Sequence, residues 1–259
     1  MSCQKKAMIY TNETLELSCP AIFATQPSSE LSNRYVFVPT LEILENFTKS
    51  GWELASVKQM GKSIHGIHEL RFRNGELPKI GDCVLEAIVR NSHNGKSSLS
   101  IYAGLHRLSS SNRLTIPSSV FESFKVRHMG FNLSDVEELT QSFAKNFPLI
   151  KDSVHKMMET ELTLEKKIQF IKKSIHLRWK SGNLPKNLDV MRILHPIREQ
   201  DNKNDVWTIL NVIHENFTKG GLNYISDNGR PTKLRAIKNI LNLHEINIKL
   251  WELATQMCD

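Results

Sequence analysis

Two observations in the 259-residue sequence predict an α+β fold, a mostly antiparallel sheet in the N-terminal half with a helical C-terminal half packed on it. The first is apolar alternation on both sides of Asn94-Gly95, where two runs face each other across a turn. The second is a change of hydrophobic period near residue 131, from the two of a strand to the 3.6 of a helix. Strands first and helices after place the helices over the open face of the sheet. The expected organisation is an irregular lead-in over 1–33, a sheet region over 34–130 and a helical region over 131–259, with 34–259 one integrated domain.

The lead-in contains TQPSSELSN and little periodicity. Tyr35 to Val38 reads as a short strand stopped by Pro39, after which Thr40 caps a helix carrying Leu41, Leu44 and Phe47 on one face, with Gly51 just beyond it. Trp52 to Gln59 and His68 to Arg73 read as strands. In the second, Leu70 and Phe72 alternate with Glu69, Arg71 and Arg73, so Arg71 and Arg73 are expected to face outward together. Cys83–Arg90 and Lys96–Leu105 form the hairpin, with Leu99, Ile101, Ala103 and Leu105 on one side and Tyr102 pointing the other way.

In the helical region, Ser134 with Glu137 fits a capping box, and Val136, Leu139, Phe143 and Phe147 form a stripe that Pro148 ends. Thr163 caps a helix bearing Leu164, Ile168, Ile171, Ile175 and Trp179, with Lys166, Lys173 and Lys180 nearly opposite. Asp205 starts a third helix, ended by Gly220-Gly221, and a last helical stretch runs from about Thr232 to Thr255 with a break near His244. ENFTK occurs at 45–49 and 215–219, and WELA at 52–55 and 251–254. Their offsets differ, so they are similar helix endings rather than a repeat.

Composition excludes several classes. Hydrophobic residues make up 40% and charged residues 24%, which is ordinary for a globular chain. No apolar run approaches the roughly 20 residues of a membrane helix, and the N-terminus shows no secretory h-region. Four scattered cysteines form no CxxC pair, which predicts free thiols in a reducing, intracellular setting and makes the four Asn-x-Ser/Thr triplets chance matches. No phosphate loop, dinucleotide fingerprint or nucleophile elbow is present. His65 and His68 stand three apart without a second ligand pair, so no metal is expected. No catalytic residue and no cofactor is assigned; a non-enzyme is the expectation, and a cryptic enzyme with a polar pocket of titratable groups is kept as a third class.

The formal charge is +7. The excess sits in two blocks: residues 71–130 hold nine basic and four acidic side chains, and residues 151–203 hold 12 and 7. Clustered positive charge attracts polyanions, of which nucleic acid is the commonest in a cytoplasm. The expected contacts lie mainly in the sheet block, because arginine grips phosphate with a planar fork and lysine does not. The candidates are Arg71, Arg73, Arg90, His93, Lys96, Tyr102, Arg107, Arg113 and Arg127, with Tyr102 as a stacking face. Turn chemistry alone also accounts for Asn94-Gly95, and Arg107 and Arg113 also suit the anchoring of buried carbonyls. The lysines at 166, 167, 172 and 173 equally fit a solvated helix face.

Several stretches resemble one family. NSHNGKSSLSIYAGLHRLSSSNRL (91–114) is similar to a segment of phage/plasmid-like proteins that share a domain of unknown function, DUF932. There the pattern is Asn-x-His-Asp-Gly, a strand, then Arg-x-Val-Cys-x-Asn-x-Leu. Arg107, Asn112 and Leu114 match it, and Ser110 stands where the family often has cysteine. RYVFVPTLEILENFTKSGW, VWTILNVIHENFT and INIKLWELA resemble the family's entry, its Trp-x-x-Leu-Asn helix and its closing helix, so the likeness spans about residues 20–255. It implies a gene of phages, plasmids or integrating elements, hence the cytoplasm of a bacterial host and DNA metabolism, and it supplies no catalytic residue. The resulting expectation is a non-enzymatic nucleic-acid-binding protein with little sequence preference, assisting recombination or replication. The alternative is an interaction factor, such as an anti-defence protein, that binds a host protein. Self-association is a further expected partner class, and a membrane is not.

Overall fold

The computed structural model describes residues 10–110, 112–121, 133–179, 188–226 and 228–259. Arg127 and Lys180, both singled out by sequence, lie outside these residues. The chain divides into two compact units, one of residues 1–106 and 121–146, the other of residues 107–120 and 147–259.

The first unit begins with helix α1 (Asn12–Ser18), capped by a reciprocal Thr11–Thr14 box, and a 3₁₀ turn (Pro20–Phe23). The lead-in is therefore structured in part. Residues 35–39 form extended chain rather than a strand. Side chains tie this segment to the third strand and the residue after it: Asn91 Nδ2 donates to Val38 O, and the Tyr35 hydroxyl donates to Ser92 O. Helix α2 (Thr40–Lys49) starts with Pro39 at its N-cap, so Thr40 is its first residue and its side chain turns inward.

A five-stranded antiparallel sheet follows in sequence order: β1 (Trp52–Gln59), β2 (His68–Asn74), β3 (Cys83–Asn91), β4 (Ser100–Arg107) and β5 (Arg113–Thr115). β1 carries an irregularity between Leu54 and Ser56 that resets its register against β2. The β3–β4 hairpin is present, but its connection is wider than a two-residue turn and β4 begins at Ser100, not Lys96. Gly95 takes φ +71°, and the Ser92 hydroxyl closes the loop on Ser97 N and Ser97 O. One sheet face is apolar. On it Phe72 stacks on Phe47 of α2 at 4.2 Å, Trp52 meets Phe47 edge-on, and Trp52 packs on Phe143. Trp52 Nε1 donates to Thr140 Oγ1 at 2.9 Å.

Helix α3 (Leu133–Glu159) buries Val136, Leu139 and Phe143 in the first unit and Ile150, Val154 and Met157 in the second. It continues through Pro148 instead of stopping there, since proline removes one i→i−4 bond and the apolar stripe resumes at Ile150. Ser134 is its second residue, not its cap.

The second unit also holds α4 (Leu164–Arg178), α5 (Val190–Ile193), a 3₁₀ turn (Glu199–Asp201), α6 (Val206–Lys219), the short strands β6 (Asn223–Ile225) and β7 (Pro231–Lys233), and α7 (Ile240–Gln256). Thr163 and Asp205 cap α4 and α6 as the sequence predicts. The core is built on α6 and α7, where Trp207 meets Trp251 edge-on at 5.9 Å among Leu210, Ile213, Phe217, Leu250 and Ala254. The last helix starts at Asn239-Ile240, and Thr232 belongs to the β6–β7 hairpin. Asn228-Gly229 turns that hairpin, with Gly229 at φ +73°. Among the described residues no helix is long and apolar enough to cross a membrane.

Candidate nucleic-acid interface

The sheet arginines are already engaged. Arg71 and Arg73 share one face of β2, as alternation requires, but Arg71 is buried there and Arg73 is only partly exposed. Arg71 is 4% exposed, its Nε donating to Glu69 Oε1 at 2.8 Å and its Nη1 to Glu86 Oε2 at 3.2 Å. Arg73 grips Glu86 Oε1 through Nε and Nη2. Glu86 on β3 is fully buried, so it requires both guanidiniums and draws Arg71 inward. The expectation that the pair faces solvent is overturned for Arg71, while Arg73 keeps part of its side chain at the surface. Arg90 is buried on the same face, where it donates to the Tyr102 hydroxyl and lies 4.8 Å over the Tyr102 ring. Tyr102 is half-buried, not an open stacking platform.

His93 is fully buried and forms no exposed tip. Its loop folds under the N-terminal segment: Ser28 N donates to His93 O, and His93 N donates to His65 O. His68 Nδ1 lies 2.9 Å from Gly66 O, which can only accept, so Nδ1 carries the proton and the bare Nε2 accepts from the Thr40 hydroxyl at 2.8 Å. His93 Nε2 donates to Ala21 O at 3.1 Å, which leaves its buried Nδ1 bare. Burial pushes both imidazoles down to about 4, and the His68 ring, its centroid 5.1 Å away, further disfavours charge on His93. Of the loop candidates, Lys96 alone is exposed. Burial pushes the Cys19 thiol up to about 12, so it stays protonated and unreactive. Among the described residues no three His, Cys, Asp or Glu are grouped to hold a metal.

In the second unit the motif residues build a polar knot. Arg107 pairs with Asp201 at 2.7 Å, Asp201 with Arg198 at 3.1 Å, and Arg198 with Glu215 at 2.7 Å. Glu215 also binds Lys219, whose Nζ reaches Ser110 O. Asn112 Nδ2 donates to Asn211 O and Oδ1. Asn247 Nδ2 donates to Arg113 O, so the backbone of residue 113, at least, serves as an anchor. Arg107 is thus a structural ligand of Asp201, while the Arg113 side chain is half-buried.

Two groups of exposed cations lie elsewhere in this unit. On α4, Lys166, Lys172 and Lys173 are exposed, opposite buried Phe170, Ile171 and Ser174. On and after the β6–β7 hairpin, Arg230, Lys233, Arg235 and Lys238 are all exposed, and none has a carboxylate partner among the described residues. This arm is fixed to the helices. Gly221 N donates to Leu234 O at 2.8 Å, and a Cβ on Gly220 would lie 2.5 Å from that oxygen. Arg178 Nη2 donates to Arg235 O at 2.7 Å, and Trp179 meets Tyr224 of β6 edge-on at 5.8 Å. Partial burial without a carboxylate holds the Arg178 pKa below the usual guanidinium range. Counting charge over 204–259 as a whole hides this arm, because six basic and six acidic residues cancel there. The run Arg-x-x-Lys-x-Arg-x-x-Lys from 230 is visible only in a shorter window.

The model of the family described as "Domain of unknown function (DUF932)" matches residues 27–246. The chain belongs to the DUF932 family. It is 30% identical over 250 residues to UPF0380 protein YafZ and, equally, to UPF0380 protein YfjQ, both of Escherichia coli strain K12, covering 94% of this chain and 90% of each relative. No solved structure matches. For this DUF932 chain the family motif gains a physical reading: within the second unit Arg107 pairs with Asp201 and Asn112 bonds Asn211.

Proposed function

We propose that this DUF932 protein binds nucleic acid without enzymatic chemistry and with little sequence preference, through the cationic arm and lysine face of its second unit. A role in recombination or replication of a phage or mobile element is the context in which such binding serves. The observation that carries the reading is the partition of the basic residues. Arg71, Arg73 and Arg107 are neutralised internally, whereas Arg230, Lys233, Arg235 and Lys238 present four charges with no carboxylate partner among the described residues. Such a run exchanges condensed counterions for phosphate contacts, and partly exposed Trp179 and Tyr224 border it. The test is fluorescence anisotropy with single- and double-stranded DNA and RNA, titrated with salt. Binding at about 50 mM salt that falls steeply and log-linearly supports the proposal, and no binding at that salt overturns it.

A further inference from the structure

We propose that Arg90 and Tyr102 form a seat for a phosphate-type oxyanion on the charged face of the sheet, in the first unit. β2 and β3 place Glu69 directly across from Arg90, yet Glu69 turns its carboxylate to Arg71. Glu86 serves Arg71 and Arg73. Two buried carboxylates are thus committed to two guanidiniums, and Arg90 is the third. It is only 7% exposed and has no carboxylate partner among the described residues. Its Nη2 donates to a neutral phenol, its plane lies near an aromatic ring, and its Nε is a buried donor with no partner among the described residues. A guanidinium cannot shed its proton to relieve burial, so an uncompensated one is strongly unfavourable unless an anion joins it. The forked donors of arginine fit the paired oxygens of a phosphate, and Tyr102, the hydrogen-bond partner of Arg90, is itself partly exposed. The phosphate belongs either to a nucleic-acid backbone or to a free phosphate or its ester, and the seat does not depend on the cationic arm of the second unit.

The experiment is thermal unfolding of the full chain in phosphate-free buffer, with inorganic phosphate added at constant ionic strength. At tenfold saturation of the seat the wild type should gain on the order of 3 °C. Arg90→Gln should lose that gain while staying at least as stable without phosphate, since it removes an unpaired charge. General salting effects are common to both proteins and cancel. Should Arg90→Gln not fold, Arg90→Lys keeps the charge without the fork and should lose most of the gain. A parallel anisotropy arm uses a short oligonucleotide: weakened binding by the variant assigns the phosphate to a nucleic-acid backbone, and unchanged binding assigns it to a free phosphate. A phosphate response that is absent from the wild type, or equal in wild type and variant, overturns the seat.

Discussion

Asn112 and Asn211, 99 positions apart, share a buried bond in which one side-chain amide donates to both the backbone and side-chain oxygens of the other, at 3.0 and 3.2 Å. Replacing Asn112 by Asp turns this donor into a carboxylate facing two acceptors in a dry site. Asn112→Asp should cost more than about 3 kcal/mol, and Asn112→Ala about 1–3 kcal/mol, in urea unfolding. A near-neutral Asn112→Asp would show that the knot is wet.

The charged sheet face makes a second prediction. Glu86→Gln leaves Arg71 and Arg73 without their shared carboxylate and should destabilise by about 3–5 kcal/mol. Replacing Arg71 and Glu86 together by Met and Leu should cost clearly less than the two single changes combined, because neither partner is left to orphan the other, while Glu69 and Arg73 each lose one partner. A double-mutant cycle in denaturant reads the difference.

Acid should loosen the first unit before the second. His68 and His93 titrate near 4 when folded against 6.5 for the free side chain. A depressed imidazole pKa means the unfolded chain takes up the proton first. The contribution is therefore whole above about pH 6.5 and disappears as pH falls toward 4, for His68 on the order of 3 kcal/mol. Urea midpoints measured from pH 7 to pH 4.5 should fall steeply, and His68→Asn should flatten that fall.

Binding variants separate the two halves of the basic charge. Lys233→Gln with Arg235→Gln should lower the salt slope by about 2 while leaving the unfolding midpoint nearly unchanged. Arg71→Gln with Arg73→Gln should do the reverse, since those guanidiniums hold Glu86. A larger slope change in the sheet pair, with both variants folded by circular dichroism, would return the interface to the sheet.

Gly220 links the arm to its support. At φ +76° and with Leu234 O, Arg235 C and Ala236 N all within 2.8 Å of a built Cβ, Gly220→Ala must displace backbone. The expected cost is about 2–4 kcal/mol, together with loss of amide protection at Gly221, whose N–H bonds Leu234 O, read by hydrogen exchange.

Local signals were legible in the sequence where they repeat over several residues. The β3–β4 alternation, the Thr163 and Asp205 caps and the α6 stripe all stand as the pattern requires. Asn228-Gly229 carries the same turn signal as Asn94-Gly95, but three-residue strands are too short to show alternation, so β6 and β7 read as loop and helix. Alternation placed Arg71 and Arg73 on one face correctly. Whether that face is wet depends on Glu86, 15 and 13 positions away on another strand, and no local pattern contains that partner. The burial of His93 escapes any local pattern for the same reason, because Ala21, Thr40 and His68 close over it from distant positions. A hydroxyl at a helix start reads as a cap, yet Thr40 serves two imidazoles and Asn91.

The interleaving of the two units bears on how the chain is born. Residues 107–120 leave the first unit and 121–146 return to it, so neither unit is a continuous stretch. Trp52 has neither Phe143 nor Thr140 to pack against until α3 has been synthesised. During translation the early strands must therefore wait, with an apolar face uncovered, for residues nearly a hundred positions downstream. Cleavage at any of the three crossings, after His106, Val120 or Asn146, would sever a unit from part of its own core, and no nascent fragment shorter than about residue 146 holds a finished half of this protein.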